Sequence, residues 1–476
     1  MRQTLLAAVW IAFATTGCAS SVTRRAAAVP PAHVPPGLVV VLRDLSPPSQ
    51  RVQFLASGAS ALREDGSAVA LSLVPPRRDA GDEPGVDLLW FEADAPPGNY
   101  TGIEISFLSA TRTTAGRQPE TLVVPTVPAR IDAPFILEPA TGTVLAVALR
   151  SATAPDTPDR FEPVLEGLPR QRPTPGLTGL ASIAGWDSIA LFDKRTGALA
   201  SLMRVGRGPS GLTVDAERVR AYVALSGEDA VSVLDLLEGH VRERIPLRAG
   251  DAPRDLVLTP DGRTLVVANP GSDTVSFVDP LSAIEVERLA VAGRPASLLM
   301  DRDGRRVFVL AERSSVLTVL SVSTRAVIGS VAVDSGPVRA RFSGRNGERI
   351  LVAHAESPYL TVVDSRALTV AQRVYVGQSA RALEVDPRSG RIYLARARTG
   401  RIEVFDPSSF LPVSEIVVPG DVAWMSVDSE GNGLGVLLRD PSEVRVFGLV
   451  GGAVVSRTSL GSDPAVLGFV QGRTAP

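Results

Sequence analysis

Three features of this 476-residue sequence predict an all-β chain, an N-terminal antiparallel β-sandwich followed by a seven-bladed β-propeller. First, a strand ending in a small polar or acidic residue recurs in the second half. It runs SIALFD (Asp193), AVSVLD (Asp235), TVSFVD (Asp279), LTVLS (Ser321), YLTVVD (Asp364), RIEVFD (Asp406) and EVRVFG (Gly448), in steps of 42, 44, 42, 43, 42 and 42 residues. Second, short alternating apolar runs with Pro/Gly breaks fill the segment before it, as half-buried strands require. Third, 42 Gly and 38 Pro favour turns over helices.

Composition narrows the function classes. Hydrophobic residues are 45% and charged residues 21%, enough apolar content for large cores. A formal net charge of −2 gives no broad basic footprint, so nucleic acid is not an expected partner. Of the 49 Lys+Arg, only Lys194 is lysine. The sole cysteine is Cys18, which excludes an intrachain disulfide and a thiolate metal cage.

Met1-Arg2-Gln3 is a short positive start, and Thr4 to Ala14 is an apolar run of signal-peptide length, too short to span a bilayer. Thr15-Thr16-Gly17-Cys18 follows. Small residues before the only cysteine resemble a bacterial lipoprotein box, although Thr15 stands where leucine is usual. The resemblance implies cleavage after residue 17, lipidation of Cys18, and an outer-membrane lipoprotein held by palmitate-type acyl chains. With Ala19 rather than Asp next, it implies no inner-membrane retention. Residues 18–36 are Pro/Ala-rich and lack an apolar period. As an extended tether they reach up to roughly 50 Å.

Residues 37–165 read as the sandwich, with strands expected at Leu38 to Leu42, Arg51 to Leu55, Val69 to Leu73, Val86 to Phe91, Tyr100 to Phe107, Thr121 to Val124, Pro134 to Leu137 and Thr143 to Leu149. The stretch Ala95-Pro96-Pro97-Gly98-Asn99-Tyr100-Thr101-Gly102-Ile103 resembles the strand entry of an uncharacterised sandwich domain of bacterial lipoproteins. That family implies no catalytic residue, and Tyr100 is expected in the core or at a strand corner. Residues 166–177 form a Pro-rich linker.

Residues 178–470 hold the repeat, and 471–476 a tail. Each unit offers four strands: an inner strand such as GLTV, DLVL or WMSV, then three more. The first unit lacks its inner strand, and the chain end supplies one at Leu467 to Val470. The ring is therefore expected to close by pairing the C-terminal strand with the first three strands, which leaves no open edge. Gly250 to Asp279 (GDAPRDLVLTPDGRTLVVANPGSDTVSFVD) shows the unit most clearly and is similar to the bacterial YVTN-type propeller repeats. The acidic residue closing each third strand is expected to cap the next turn. Asp301-Arg302-Asp303-Gly304 echoes a calcium loop but lacks its closing glutamate, so a glycine turn is expected.

Catalytic, cofactor and metal sites are all expected to be absent. His33, His240 and His354 lie in separate segments and read as surface loop residues. Asp255, Asp273 and Glu384 are scattered carboxylates without a constellation. One cluster stands out at the start of the inner strands: Arg254, Arg339 and Arg381, with Arg341 further in and Trp424 on another strand. Inner strands line the channel, so these residues make a tentative anion-binding mouth, against the plainer reading that each arginine meets loop carbonyls or an aspartate such as Asp255. The expected function is a lipid-anchored envelope protein whose propeller is a non-catalytic scaffold for protein or glycan partners. The alternatives are a channel-mouth binder of small ligands or cell-wall fragments, and a lactonase- or hydrolase-like enzyme.

Overall fold

The computed structural model describes residues 37–45, 51–74, 87–113, 118–138, 141–151, 159–168, 174–377 and 380–470. The expected signal segment, Cys18, the tether with His33, and the tail lie outside these residues.

The first nine strands form two facing layers. One layer places Leu38–Asp44 between Asp87–Ala93 and Thr141–Ser151, with Val164–Gly167 beyond. The other is built on Arg51–Arg63 and Gly98–Thr113, with Ala129–Leu137 alongside. Ala68–Leu73 pairs with both. Alternate side chains of these strands meet in one core that includes Leu38, Val40, Phe91, Ile103, Ile105 and Phe161. One pairing departs from the expected antiparallel order, because Leu38–Asp44 runs parallel to Thr141–Ser151. Tyr100 is core: its ring stacks on Phe135 with centroids 5.0 Å apart, and its hydroxyl donates to the Pro96 carbonyl at 2.8 Å. Gly102 follows because any Cβ there would strike the Ile131 carbonyl oxygen of the paired strand.

The repeat segment folds as a β-propeller. Five separate four-stranded antiparallel sheets run from Pro209 to Val417. We number them blades 2 to 6. Blade 7 is the ladder Val422–Asp428, Gly433–Leu438, Glu443–Gly448, Val454–Ser459. Blade 1 takes Thr178–Ile183, Ser188–Asp193 and Leu199–Arg204. Its remaining strand, Pro464–Phe469, comes from the other end of the chain and pairs with Thr178–Ile183, Gly179 opposite Phe469. Inner strands adjoin one another in order around the ring, and Pro464–Phe469 adjoins both Val422–Asp428 and Pro209–Asp215.

Local chemistry explains the repeat. Asp193 Oδ1 accepts the backbone N–H groups of Arg195 and Thr196, both at 2.8 Å. The same two-donor turn recurs at Asp235, Asp279, Asp364 and Asp406, and Ser321 caps with its hydroxyl. Asp301 accepts the Arg305 N–H at 2.8 Å over a turn with Gly304 at φ 68°, the glycine turn the sequence suggests.

A second repeated device lies within the blades. In blade 3, Asn269 donates to Ser276 at 2.7 Å, and Arg288 bridges Glu285 to Asp251. Blade 5 repeats the pattern with His354 against Thr361 at 3.0 Å, and Asp334 holding Arg373 and Ser357. His354 is thus not a loop residue. It closes Arg349–His354 with 1% of its surface exposed, where blade 3 has Asn269. Burial pushes its imidazole below the usual range, against the pull of Asp334. The unfolded chain takes up that proton near pH ~6.5, whereas the fold resists it, so this stability is present at neutral pH and lost on acidification. His354→Asn, which copies blade 3, is expected to lose less stability than wild type between about pH 7 and 5 in urea melts. Equal losses would mean that the ring protonates freely in the fold.

The sandwich is joined to the propeller. Gly142 and Thr141 pair with Leu202 and Met203 on the outer strand of blade 1, and Thr458 of blade 7 pairs with Asp87. The Asp87 carboxylate takes Arg43 through two bonds of 2.7 and 2.9 Å and accepts the Leu199 N–H. Val39, Val41 and Val144 share a core with Ala181, Phe192, Leu202, Val444 and Phe469. The sandwich therefore covers the outer edges of blades 1 and 7, which would otherwise expose unpaired backbone.

Candidate functional site at the channel mouth

The inner strands of blades 2 and 4 to 7 open on a bulge, at Ser210, Ala296, Val338, Arg381 and Ala423. In blade 3 Arg254 stands just before the inner strand, its N–H donating to the Ala268 carbonyl. The next residues, Asp255, Ser297, Arg339 and Trp424, meet one another although they belong to four different blades. Arg339 Nη1 lies 3.5 Å from Asp255 Oδ2 and 3.3 Å from Ser297 Oγ. Its guanidinium carbon sits 3.6 Å from the centroid of Trp424, a cation–π contact on the opposite side. Two residues further along, Arg341 grips Glu384 of the next blade through Nε and Nη2, both at 2.9 Å.

These contacts set the electrostatics. Burial pushes Arg339 down to about 10, with Asp255 opposing and Arg341 adding to the shift. Burial also disfavours charge on Arg341, but Glu384 overcomes it and raises that group. Both arginines are held charged at neutral pH. Asp255 is further engaged by the N–H groups of Leu256 and Leu298, each at 2.9 Å. Asp255 and Glu384 thus accept from arginines and backbone.

The mouth is more open. Arg254 is half exposed and pairs with Glu312, which also faces Arg294 at 3.5 Å. Arg381 is half-buried and has no hydrogen bond or ion pair among the described residues. Its guanidinium is pushed below the usual range by burial first, then by Arg439, with Asp421 opposing, and by Arg254. The four expected residues therefore divide: Arg339 and Trp424 form a stacked pair inside the channel, and Arg254 and Arg381 stand at its rim. Asp273 is elsewhere, capping the Arg294 N–H at 2.7 Å. Sequence reasoning missed Glu312, Arg439 and Asp421, which lie on loops between strands where the repeat leaves no pattern. Among the described residues no three His, Cys, Asp or Glu side chains are placed to hold a metal, and no helix is long and apolar enough to cross a membrane.

Comparison with known families bears on this geometry. Residues 186–388 match the YNCE-like beta-propeller family. The YNCE-like segment takes in Arg254, Arg339, Arg341 and Arg381 but ends before Trp424. Among curated proteins no match is found. A functionally unknown protein from Desulfotomaculum acetoxidans superposes with a TM-score of 0.55 at 12% identity, over 62% of this chain and 99% of that one. The dihydro-heme d1 dehydrogenase NirN, in complex with DHE, gives 0.50 at 15% identity over 63% and 77%. Hydrazine synthase from Kuenenia stuttgartiensis gives 0.47 at 18% identity over 53% and 87%. At these identities the likeness to the first two is one of fold alone.

Proposed function

We propose that this chain is a lipid-anchored outer-membrane protein whose seven-bladed propeller is a non-catalytic recognition scaffold for an envelope protein or glycan. The observation carrying the scaffold reading is that the channel carboxylates are already engaged. Asp255 faces Arg339 and takes two backbone N–H groups, and Glu384 is gripped by Arg341. A general base needs a lone pair free to take a proton, and these carboxylates are occupied by donors. The ring also supports the role: the C-terminal strand belongs to blade 1, and the sandwich overlies its edge, giving a rigid platform for loops. The anchor rests on the sequence around Cys18.

Two measurements test the proposal. An alkyne fatty-acid probe fed to cells is expected to label the wild type and not Cys18→Ala, and equal labelling would remove the anchor. Purified protein is expected to show no turnover on a panel of lactones and esters. Turnover that Glu384→Gln abolishes would replace the scaffold with an enzyme.

A further inference from the structure

The channel mouth has more positive charge than it neutralises. Arg254 and Arg294 share one carboxylate, Glu312. Arg381 has no hydrogen bond or ion pair among the described residues, and Arg439 and Arg254 act on it repulsively, with Asp421 opposing them. Arg381 fills the bulge that opens the inner strand of blade 6, Arg254 stands just before the inner strand of blade 3, and the two guanidiniums are near enough to repel each other. Arg339, on the inner strand of blade 5, is stacked on Trp424 and faces Asp255. A half-buried guanidinium facing others of its own sign is costly unless something anionic completes it.

We propose that the mouth binds a small organic anion with two or more carboxylates, one on Arg381 and another on Arg254. Guanidinium and carboxylate are both planar and match through two parallel hydrogen bonds. Two groups let one ligand engage both arginines, which belong to different blades. A carboxylate carries one charge and sheds water at lower cost than a doubly charged phosphate, which suits half-buried guanidiniums. This inference rests on the mouth being a recognition surface, and not on the lipid anchor.

Isothermal titration of the purified, detergent-solubilised protein at low salt, with citrate, acetate and inorganic phosphate as probes, tests it. Citrate is expected to bind, with acetate and phosphate each at least about tenfold weaker. Arg381→Gln and Arg254→Gln are each expected to weaken citrate about tenfold, while Arg401→Gln, in an exposed ion pair with Glu415, leaves it unchanged. The ligand-free Arg381→Gln protein is expected to melt at or above the wild-type temperature, since the substitution removes a half-buried charge that Arg439 and Arg254 repel. Absent citrate binding, equal binding by Arg381→Gln and wild type, phosphate as tight as citrate, or an equal loss in Arg401→Gln each overturns the inference. A citrate failure leaves the scaffold reading standing, and lactone or ester turnover sinks that reading without touching citrate affinity.

Discussion

Replacing Lys194 with methionine is expected to cost about 3–5 kcal/mol of folding stability. Its ammonium lies 2.7 Å from Asp428 Oδ2, and the two side chains are 4% and 2% exposed. The approach lacks hydrogen-bond alignment, so charge attraction holds the pair. The lysine follows the third strand of blade 1, and the aspartate ends the inner strand of blade 7. The pair therefore spans the seam where the two chain ends are joined. Around it, Ser456 of blade 7 donates to the Lys194 carbonyl at 2.7 Å, Thr458 to that of Gly197 at 2.9 Å, and the ammonium sits 6.0 Å from the Phe469 ring centroid. Methionine keeps the packing but strands a buried carboxylate. The double variant Lys194→Met/Asp428→Leu removes both charges and is expected to recover most of the loss, as replaced buried pairs do. Urea midpoints measure both. A single variant within about 1 kcal/mol of wild type would show that the seam does not depend on the pair.

How much of this was legible beforehand follows from what repeats. The third-strand aspartates gave the period, and the period implied the turns that Asp193, Asp235 and Asp279 now cap. The missing inner strand of the first unit pointed to Pro464–Phe469. His354 misled because a single histidine after an apolar run looks like a loop, whereas its register with Asn269 places it inside a blade. That register was readable: Ser232 with Arg244, Ser276 with Arg288 and Thr361 with Arg373 recur at one spacing and face each other across paired strands. The contact of Lys194 with Asp428, and the covering of blades 1 and 7 by the sandwich, join segments far apart in sequence. No local pattern carries such contacts. The rim was half legible: arginines at inner-strand starts were visible, but their neighbours Glu312, Asp421 and Arg439 sit on loops that vary from blade to blade.

Asp251→Ala and Asp334→Ala, at matching positions in blades 3 and 5, are expected to differ severalfold in cost because burial differs. Asp251 is fully buried and takes Arg288 through two bonds of 2.7 Å, with the Ser272 hydroxyl and the Arg248 N–H besides. Burial works to raise its carboxyl, and Arg288 with Ser272 more than offsets this and holds it low. Removing it leaves Arg288, only 10% exposed, with Glu285 as its one remaining carboxylate and the Thr274 hydroxyl at 3.2 Å, and the loss is expected to be about 3–5 kcal/mol. Asp334 also takes an arginine and a serine, but Arg373 is 51% exposed and water replaces the lost partner. That variant is expected to cost under about 1 kcal/mol. Acid adds a second check. The low carboxyl of Asp251 stabilises the fold above its ordinary titration range near pH ~4 and loses that contribution as pH falls through its lowered value, so the gap between wild type and Asp251→Ala should narrow below about pH 4. Equal costs for the two variants at neutral pH would mean that the position in the repeat, rather than burial, sets what this carboxylate contributes.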